Sequence, residues 1–330
     1  MRKNDTDNHQ VEYTLKDVVA TLCMVETPSA AITISTPDEP ASKDEKEGLL
    51  ETAPTMTLVH QKPLTSSIRA TIKHLVSQGG RTARFRGFRF HAIWAFAITI
   101  VANSLDAVLP AFVPFRLAVI SALAGAATAN LHAAWTHKVV SMPSITSFWQ
   151  RVPARSTWKV LAFPAAVYSA MPYISFYIAQ LAFTMLFAGI DARDVRDYTG
   201  AEWTSLIFRI IAVVVIAVSC TLFLCLPAVV TMVRVEASIL PEEEDTIVPF
   251  DRTFDGKVVS KVLGGTGTIG FIDAWKSFNW EARRRLLKLY VKIFFIMMGL
   301  SFVAIHVWAV VGFVALGPNM SKLIAQARHS

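Results

Sequence analysis

Five long apolar runs dominate this chain and leave little freedom in what it can fold into. They fall at Phe90–Phe112, Leu117–Trp135, Val160–Ile190, Leu206–Val230 and Leu289–Leu316. A helix needs about 20 mostly apolar residues to cross a bilayer. Inside lipid the backbone must satisfy its own hydrogen bonds, so such runs are helices or closed barrels, and runs of this length are helices. The chain is therefore predicted to be all-α, a polytopic transmembrane helical bundle of about five spans with a disordered N-terminal tail. Composition agrees: 17% of the 330 residues are charged and 53% are apolar, against about 25% charged in a soluble domain. The third run exceeds the bilayer thickness and carries Pro164 and Pro172, which predicts tilt, a protruding end or a kink at Pro172.

A sixth crossing at Val258–Trp275, "VVSKVLGGTGTIGFIDAW", is rejected. Lys261 and glycines 264, 265, 267 and 270 weaken it, and it would carry Arg283, Arg284 and Arg285 across the membrane. A segment lying on the surface or partly inserted remains open for it.

The net charge of +7 sits beside the apolar runs. Before the first come Lys73, Arg81, Arg84, Arg86 and Arg89; between the second and third come Lys138, Arg151, Arg155 and Lys159; before the fifth come Lys276, Arg283, Arg284, Arg285 and Lys288. The alternate loops hold Arg116, or Arg193 and Arg196 outweighed by Asp191, Asp194, Asp197 and Glu202. This alternation predicts a cytosolic N-terminus and a lumenal or extracellular C-terminus, in an endomembrane or the plasma membrane. Arg81, Arg84, Arg86, Arg89, Arg283, Arg284 and Arg285 are the expected anchors to anionic headgroups. The pattern points to lipid and to cytosolic protein partners, not to nucleic acid.

The segments follow. Residues 1–62, rich in Thr, Pro, Ser and Glu, are expected to form a disordered cytosolic tail, with Thr27-Pro28, Thr36-Pro37 and the dileucine-like "EKEGLL" (Glu45–Leu50) as weak regulatory motifs. Residues 63–89 form a basic amphipathic juxtamembrane segment, with Ile68, Ile72, Leu75 and Val76 at helical spacing. Spans one to four occupy 90–232, a cytosolic loop with an amphipathic helix 233–288, span five 289–316 and a short tail 317–330. In span two, Ser121, Gly125 and Ala129 recur every four residues, a stripe that lets another helix approach closely. Trp149 marks a short interfacial helix near Pro143.

Reaction chemistry is sparse. Gly265-x-Gly267-x-x-Gly270 matches a dinucleotide fingerprint but has no βαβ unit around it. "DARDVRD" spaces Asp191, Asp194 and Asp197 three apart, as a Mg²⁺-diphosphate site would, yet two arginines neutralise it and no second acidic motif accompanies it. Polar groups inside the spans are the better lead, being costly in lipid. Asn103 and Asp106 in span one and His306 in span five all lie toward the outer half. Asp106 can meet His306, with Arg116 as a rival partner; a structural pair is favoured over a substrate site. Cys220 and Cys225, five residues apart, point away from each other on a helix and are not expected to bond. No catalytic residue, cofactor site or metal site is expected.

The segments "ASILPEEEDTIVPFDRTFDGKVV" (237–259) and "IGFIDAWKSFNWEARRRLLKLYVK" (269–292) resemble a family of fungal integral membrane proteins often labelled "ubiquitin carrier protein". The resemblance runs from Ser66 to Leu316 and implies a multi-span protein without an assigned activity. The label fails on chemistry. A ubiquitin-conjugating enzyme needs an accessible cytosolic thiol beside a His-Pro-Asn motif, and this chain has no such motif. The sequence leads to a non-enzymatic scaffold, adaptor or accessory subunit. A small-solute or proton-linked transporter using spans one and five is the alternative, and a lipid-modifying enzyme a weaker one.

Overall fold

The computed structural model of the protein describes residues 10–27, 30–35, 55–60, 62–144, 146–190 and 198–317. Five helices in it are long and apolar enough to cross a membrane. Span one is α3 (Phe88–Val108), span two α4 (Arg116–Val140) and span three α6 (Trp158–Leu186). Span four is α7 (Gly200–Ser238) and span five α9 (Trp280–Leu316). Smaller helices fill the rest: α1 (residues 10–25), α2 (Ile68–Gly79), α5 (Phe148–Arg151) and α8 (Phe271–Lys276). An antiparallel two-stranded ladder pairs β1 (Ala30–Ser35) with β2 (Thr55–His60), Ala30 opposite His60. The chain is an all-α, multi-pass integral membrane protein. Segment 258–270 is no crossing: it forms bends and a single short turn before α8.

Span two is the centre of the bundle, and its small residues explain why. Ser121 Oγ donates to the Ser169 carbonyl of α6 at 2.7 Å. A Cβ added at Gly125 would lie 2.2 Å from Ser169 Oγ and 2.7 Å from the Ala165 carbonyl oxygen. Only glycine permits that approach. Trp158 Nε1 donates to the Ala126 carbonyl at 2.8 Å, fixing the start of α6 against the same helix. Both prolines of span three lie inside one continuous helix.

Span four runs on six residues past the predicted end at 232. It contains a π-helical turn, Thr221–Cys225, that ends two residues before Pro227. A proline ring clashes with the carbonyl four residues back and donates no hydrogen bond; the wider turn, with Leu226 N–H reaching the Thr221 carbonyl, accommodates both defects. Span five begins at Trp280, well before the predicted Leu289. Asn279 caps it by accepting from Ala282 N–H at 2.9 Å. The amphipathic helix expected within 233–288 is thus divided: Phe271 and Trp275 lie on α8, Leu286 on α9 and Phe278 between them, and Phe278 and Leu286 both reach the core.

The largest departure from expectation lies in α1. Gln10–Val25, placed by composition in a disordered tail, is helical and buries its apolar face. Val18, Val19, Leu22, Cys23 and Val25 have no solvent exposure. Each large apolar side chain so buried contributes about 1.5–3 kcal/mol, which offsets an ordering cost of about 1–2 kcal/mol per residue. Leu15, Val19, Cys23 and Met24 pack on Val230 and Val233 of α7 and on Leu286, Leu289 and Ile293 of α9. Tyr13, Val18 and Leu22 pack on Leu75 of α2 and on Trp135 and Val139 of α4. The motifs at Thr36-Pro37 and Glu45–Leu50 lie outside the described residues.

The loop 239–270 joins the same body. Ile247 N–H donates to the Val140 carbonyl at 2.9 Å and Met142 N–H to the Asp245 carbonyl at 2.7 Å. Leu240, Ile247, Val248 and Phe254 are buried, while Glu242 and Glu243 stay exposed. Asp251 accepts from Thr253 N–H, Thr253 Oγ1 and Asp255 N–H. Burial raises its carboxyl, but these bonds hold it below the ordinary carboxylate range. They shape the turn in which Phe254 and Asp255 adopt positive φ.

Candidate functional site

The polar centre of the molecule lies between spans two and four, at the end of the bundle where α1 docks. α4 carries His132 and Thr136 one turn apart on one face, and α7 brings Glu236 between them. Glu236 has no solvent exposure. His132 Nδ1 lies 2.6 Å from Oε1, and Thr136 Oγ1 donates to Oε2 at 2.5 Å. His137 Nε2 donates to the Glu236 backbone carbonyl at 2.9 Å. Trp94 of α3, Trp135 of α4 and Tyr168 of α6 surround the His132 ring, with centroids 4.7, 5.0 and 5.3 Å away.

α1 closes this centre. Tyr13 Oη accepts from Trp135 Nε1 at 3.0 Å and donates to the Arg86 carbonyl at 2.8 Å. Burial pushes the Tyr13 phenol well above its ordinary range. Asp17 lies one turn on, half-buried. Burial raises its carboxyl from 3.8 to about 6; Lys16 pulls it down, Glu12 pushes it up and His132 pulls it down. Burial likewise pushes the Cys23 thiol up, despite the Arg285 guanidinium beside it. A buried, protonated thiol is a poor nucleophile, which removes Cys23 as a thioester carrier; Cys220 and Cys225 are free thiols within span four.

A second buried cation ties the pieces together. Arg234, 5% exposed, donates to the Met24 carbonyl of α1 at 3.1 Å, the Ala274 carbonyl of α8 at 3.0 Å and Ser277 Oγ at 3.0 Å. Its guanidinium also lies over the rings of Phe254 and Phe278, 4.9 and 5.5 Å from their centroids. Three segments distant in sequence converge on this one side chain.

Beside the His137 end of the network lies a cavity of about 800 Å³. Its arginines are engaged in its own walls. Arg151 bonds Glu244 Oε2 and Ser141 Oγ at 2.9 Å each. Arg252 donates to the Leu240 and Pro241 carbonyls at 3.0 and 2.9 Å. Among the described residues no group of three His, Cys, Asp or Glu side chains is placed to hold a metal ion.

The polar residues singled out from sequence lie elsewhere. Asp106 pairs with Arg116, Nη1 to Oδ1 at 2.5 Å, and Arg116 also bonds the Leu109 carbonyl at 3.1 Å. His306 donates from Nδ1 to the Phe302 carbonyl of its own helix at 2.8 Å. Asn103, Asp106 and His306 are all exposed. The rival partner of Asp106 therefore prevails, and His306 stands apart from the pair.

The seven arginines expected at the bilayer surface also divide. Arg81, Arg84, Arg89 and Arg284 are exposed. Arg86 is buried, with Nε donating to the Lys138 carbonyl at 3.1 Å and Nη2 to the Ser141 carbonyl. Arg283 lies over the Trp275 ring at 4.1 Å. Arg285 donates to the Glu26 carbonyl at 3.1 Å. These three hold the fold together and are not free for headgroups. The aspartates 191, 194 and 197 lie outside the described residues. Gly264 and Gly267 adopt positive φ in an irregular loop, and no strand or long helix adjoins them as a dinucleotide site requires.

His132, Glu236 and Asp17 were not singled out from sequence. The usable signal was a charged residue at 236 within two turns of an apolar run, and histidines at 91, 132 and 137 beside tryptophans. No protein-family model matches the sequence, and no curated protein matches it either.

Proposed function

We propose that the protein is a non-enzymatic membrane scaffold, adaptor or accessory subunit, which uses its five spans to hold a folded module at the cytosolic surface. The observation that carries this reading is the convergence of α1, α8 and the end of span four on Arg234. The side chains best suited to chemistry serve as braces within that module. The N-terminal segment and the loop 239–279 then act as one binding surface, not as two independent tails. The exposed Glu242 and Glu243 and the basic rim of Arg81, Arg84 and Arg89 give it opposed charged regions. The resemblance to the fungal family is compatible with this role.

The test is affinity isolation from gently solubilised membranes, comparing the wild type with Arg234→Ala. The reading expects Arg234→Ala to insert normally yet lose the co-purifying proteins. An unchanged set of partners would count against it.

A second reading, proton-linked transport, is favoured by one observation: His132 and Glu236 form a buried ionisable pair between two spans, where such pairs often serve ion movement. Reconstituted protein would then show a proton flux that Glu236→Gln removes. No flux above that of empty vesicles would eliminate this reading.

A further inference from the structure

A separate cavity, of about 370 Å³, opens between the start of α9 and the turn Pro63–Ser66. Its α9 wall carries Arg284, Lys288 and Lys292. Spacing of four places them on one helix face, about 12 Å long at 1.5 Å per residue. All three are exposed. Among the described residues none has a carboxylate oxygen within 4 Å. Arg285 also lines the cavity, but its charge faces Glu26, with Nη2 3.8 Å from Oε2. Glu281 is the one acid on the lining. Three uncommitted cations facing one acid repel one another, and an anion between them relieves that repulsion.

The opposite wall is built, not incidental. Glu26, only 3% exposed, accepts from Leu64 N–H at 2.5 Å, from Thr65 N–H at 3.1 Å and from Thr65 Oγ1 at 2.5 Å. One buried carboxylate thus fixes the turn and holds Arg285 of α9 across from it. Ser66 Oγ makes no hydrogen bond among the described residues and is available to a ligand. Ile68 and Leu289 give the cavity apolar surface. Beyond Lys292 the helix turns lipid-facing: Phe294 and Phe295 are 62% and 60% exposed. The cavity therefore sits where α9 passes from the folded module into hydrocarbon, at headgroup level.

We propose that this cavity binds the phosphorylated headgroup of an anionic membrane lipid, with a phosphate monoester between Arg284, Lys288 and Lys292. A monoester carries about −1.5 to −2 charges and three strong acceptor oxygens. It suits three cations and a hydroxyl better than the single charge of a phosphodiester or carboxylate. Arg284 supplies a forked pair of donors, and the lysines supply point charges. The apolar surface beside them favours a lipid over a soluble anion. This site goes beyond the scaffold reading and does not depend on it.

The experiment uses the full-length protein in detergent micelles and a fluorescent short-chain phosphatidylinositol 4-phosphate. Binding should saturate, compete with the unlabelled lipid, and resist phosphatidylserine. Combined Arg284→Gln, Lys288→Gln and Lys292→Gln should weaken it on the order of 100-fold, about fivefold per cation. Arg69→Gln with Lys73→Gln, exposed on α2 but outside the cavity, should change it less than twofold. If the triple variant does not fold, Lys292→Gln alone carries the test at about fivefold. Equal losses in the α2 variant, or equal competition by phosphatidylserine, would overturn the site as mere surface charge. Binding of soluble inositol 4-phosphate as tightly as the lipid would overturn the lipid assignment.

Discussion

The two ends of the same five helices differ sharply in how they are held. At the α1 end, spans two and four are braced by Glu236, Arg234 and three buried apolar clusters. At the other end, the helices meet lipid on most of their surface. Half of the most apolar window of span two is buried inside the protein, against 6% for spans four and five and none for span one. Apolar helices in lipid gain nothing from hiding apolar surface from each other, because lipid is as apolar as they are. Their association needs small-residue contacts or polar bonds. The fully buried polar network lies at the α1 end and the small residues line the span two–span three contact, while the opposite end has the partly exposed bonds of Arg116 to Asp106 and of Arg209 Nη1 to the Leu186 carbonyl at 2.6 Å. Among the described residues the part of span five away from α1 makes no polar bond to another helix, and its His306 bonds only its own helix.

That contrast can be broken most forcefully at Glu236. Glu236→Ala leaves His132 and Thr136 buried without their acceptor and should cost about 3–5 kcal/mol, read as a lowered midpoint of thermal unfolding in nanodiscs. Gly125→Val, on the span two–span three contact, adds atoms where a Cβ already lies 2.2 Å from Ser169 Oγ. It should cost about 1–3 kcal/mol by overpacking, whereas Gly299→Val on the lipid-facing face of span five, where a Cβ meets nothing, should be nearly neutral in the same assay.

A smaller effect is expected from pH. The Asp17 carboxyl is raised in the folded protein from 3.8 to about 6. A raised carboxyl binds its proton more tightly when folded, so its stabilising contribution is complete below 3.8 and is lost as pH rises through about 6. The wild-type unfolding midpoint should therefore carry a component that declines across that window, and Asp17→Asn should remove it. An identical pH profile in the two proteins would contradict the burial of this carboxyl against the bundle.

The smallest effect belongs to the outer end. Asp106→Asn should cost no more than about 1 kcal/mol, since the ion pair is partly exposed and Arg116 keeps its bonds to the Leu109 carbonyl. His306→Ala should lie within about 0.5 kcal/mol of wild type, and the two changes should add without coupling. A coupling energy above about 0.5 kcal/mol in the double variant would place the two side chains in contact and erase the contrast between the ends.

What could be read from sequence follows the same division. The five spans were legible because lipid demands long apolar runs, and the stripe at Ser121, Gly125 and Ala129 was legible because close helix approach demands small residues. The bracing was not. Averaged over 62 residues, the N-terminal region is polar, and the average hid "YTLKDVVATLCMV", thirteen residues dense in valine and leucine. Arg86 and Arg285 carry the same charge as Arg84 and Arg284 in a linear pattern. Only the turn of each helix decides which faces a buried carbonyl and which faces a headgroup. Glu236 and His132 are 104 residues apart, and neither periodicity nor flanking charge links positions so distant.

The account rests on α1 being part of the folded module. Backbone hydrogen exchange of Tyr13–Val25 in the full-length protein in nanodiscs tests that directly. The account predicts protection comparable to that of residues 230–237 in span four, released only when the module unfolds. Exchange of Tyr13–Val25 within seconds, while residues 230–237 stay protected, would contradict it.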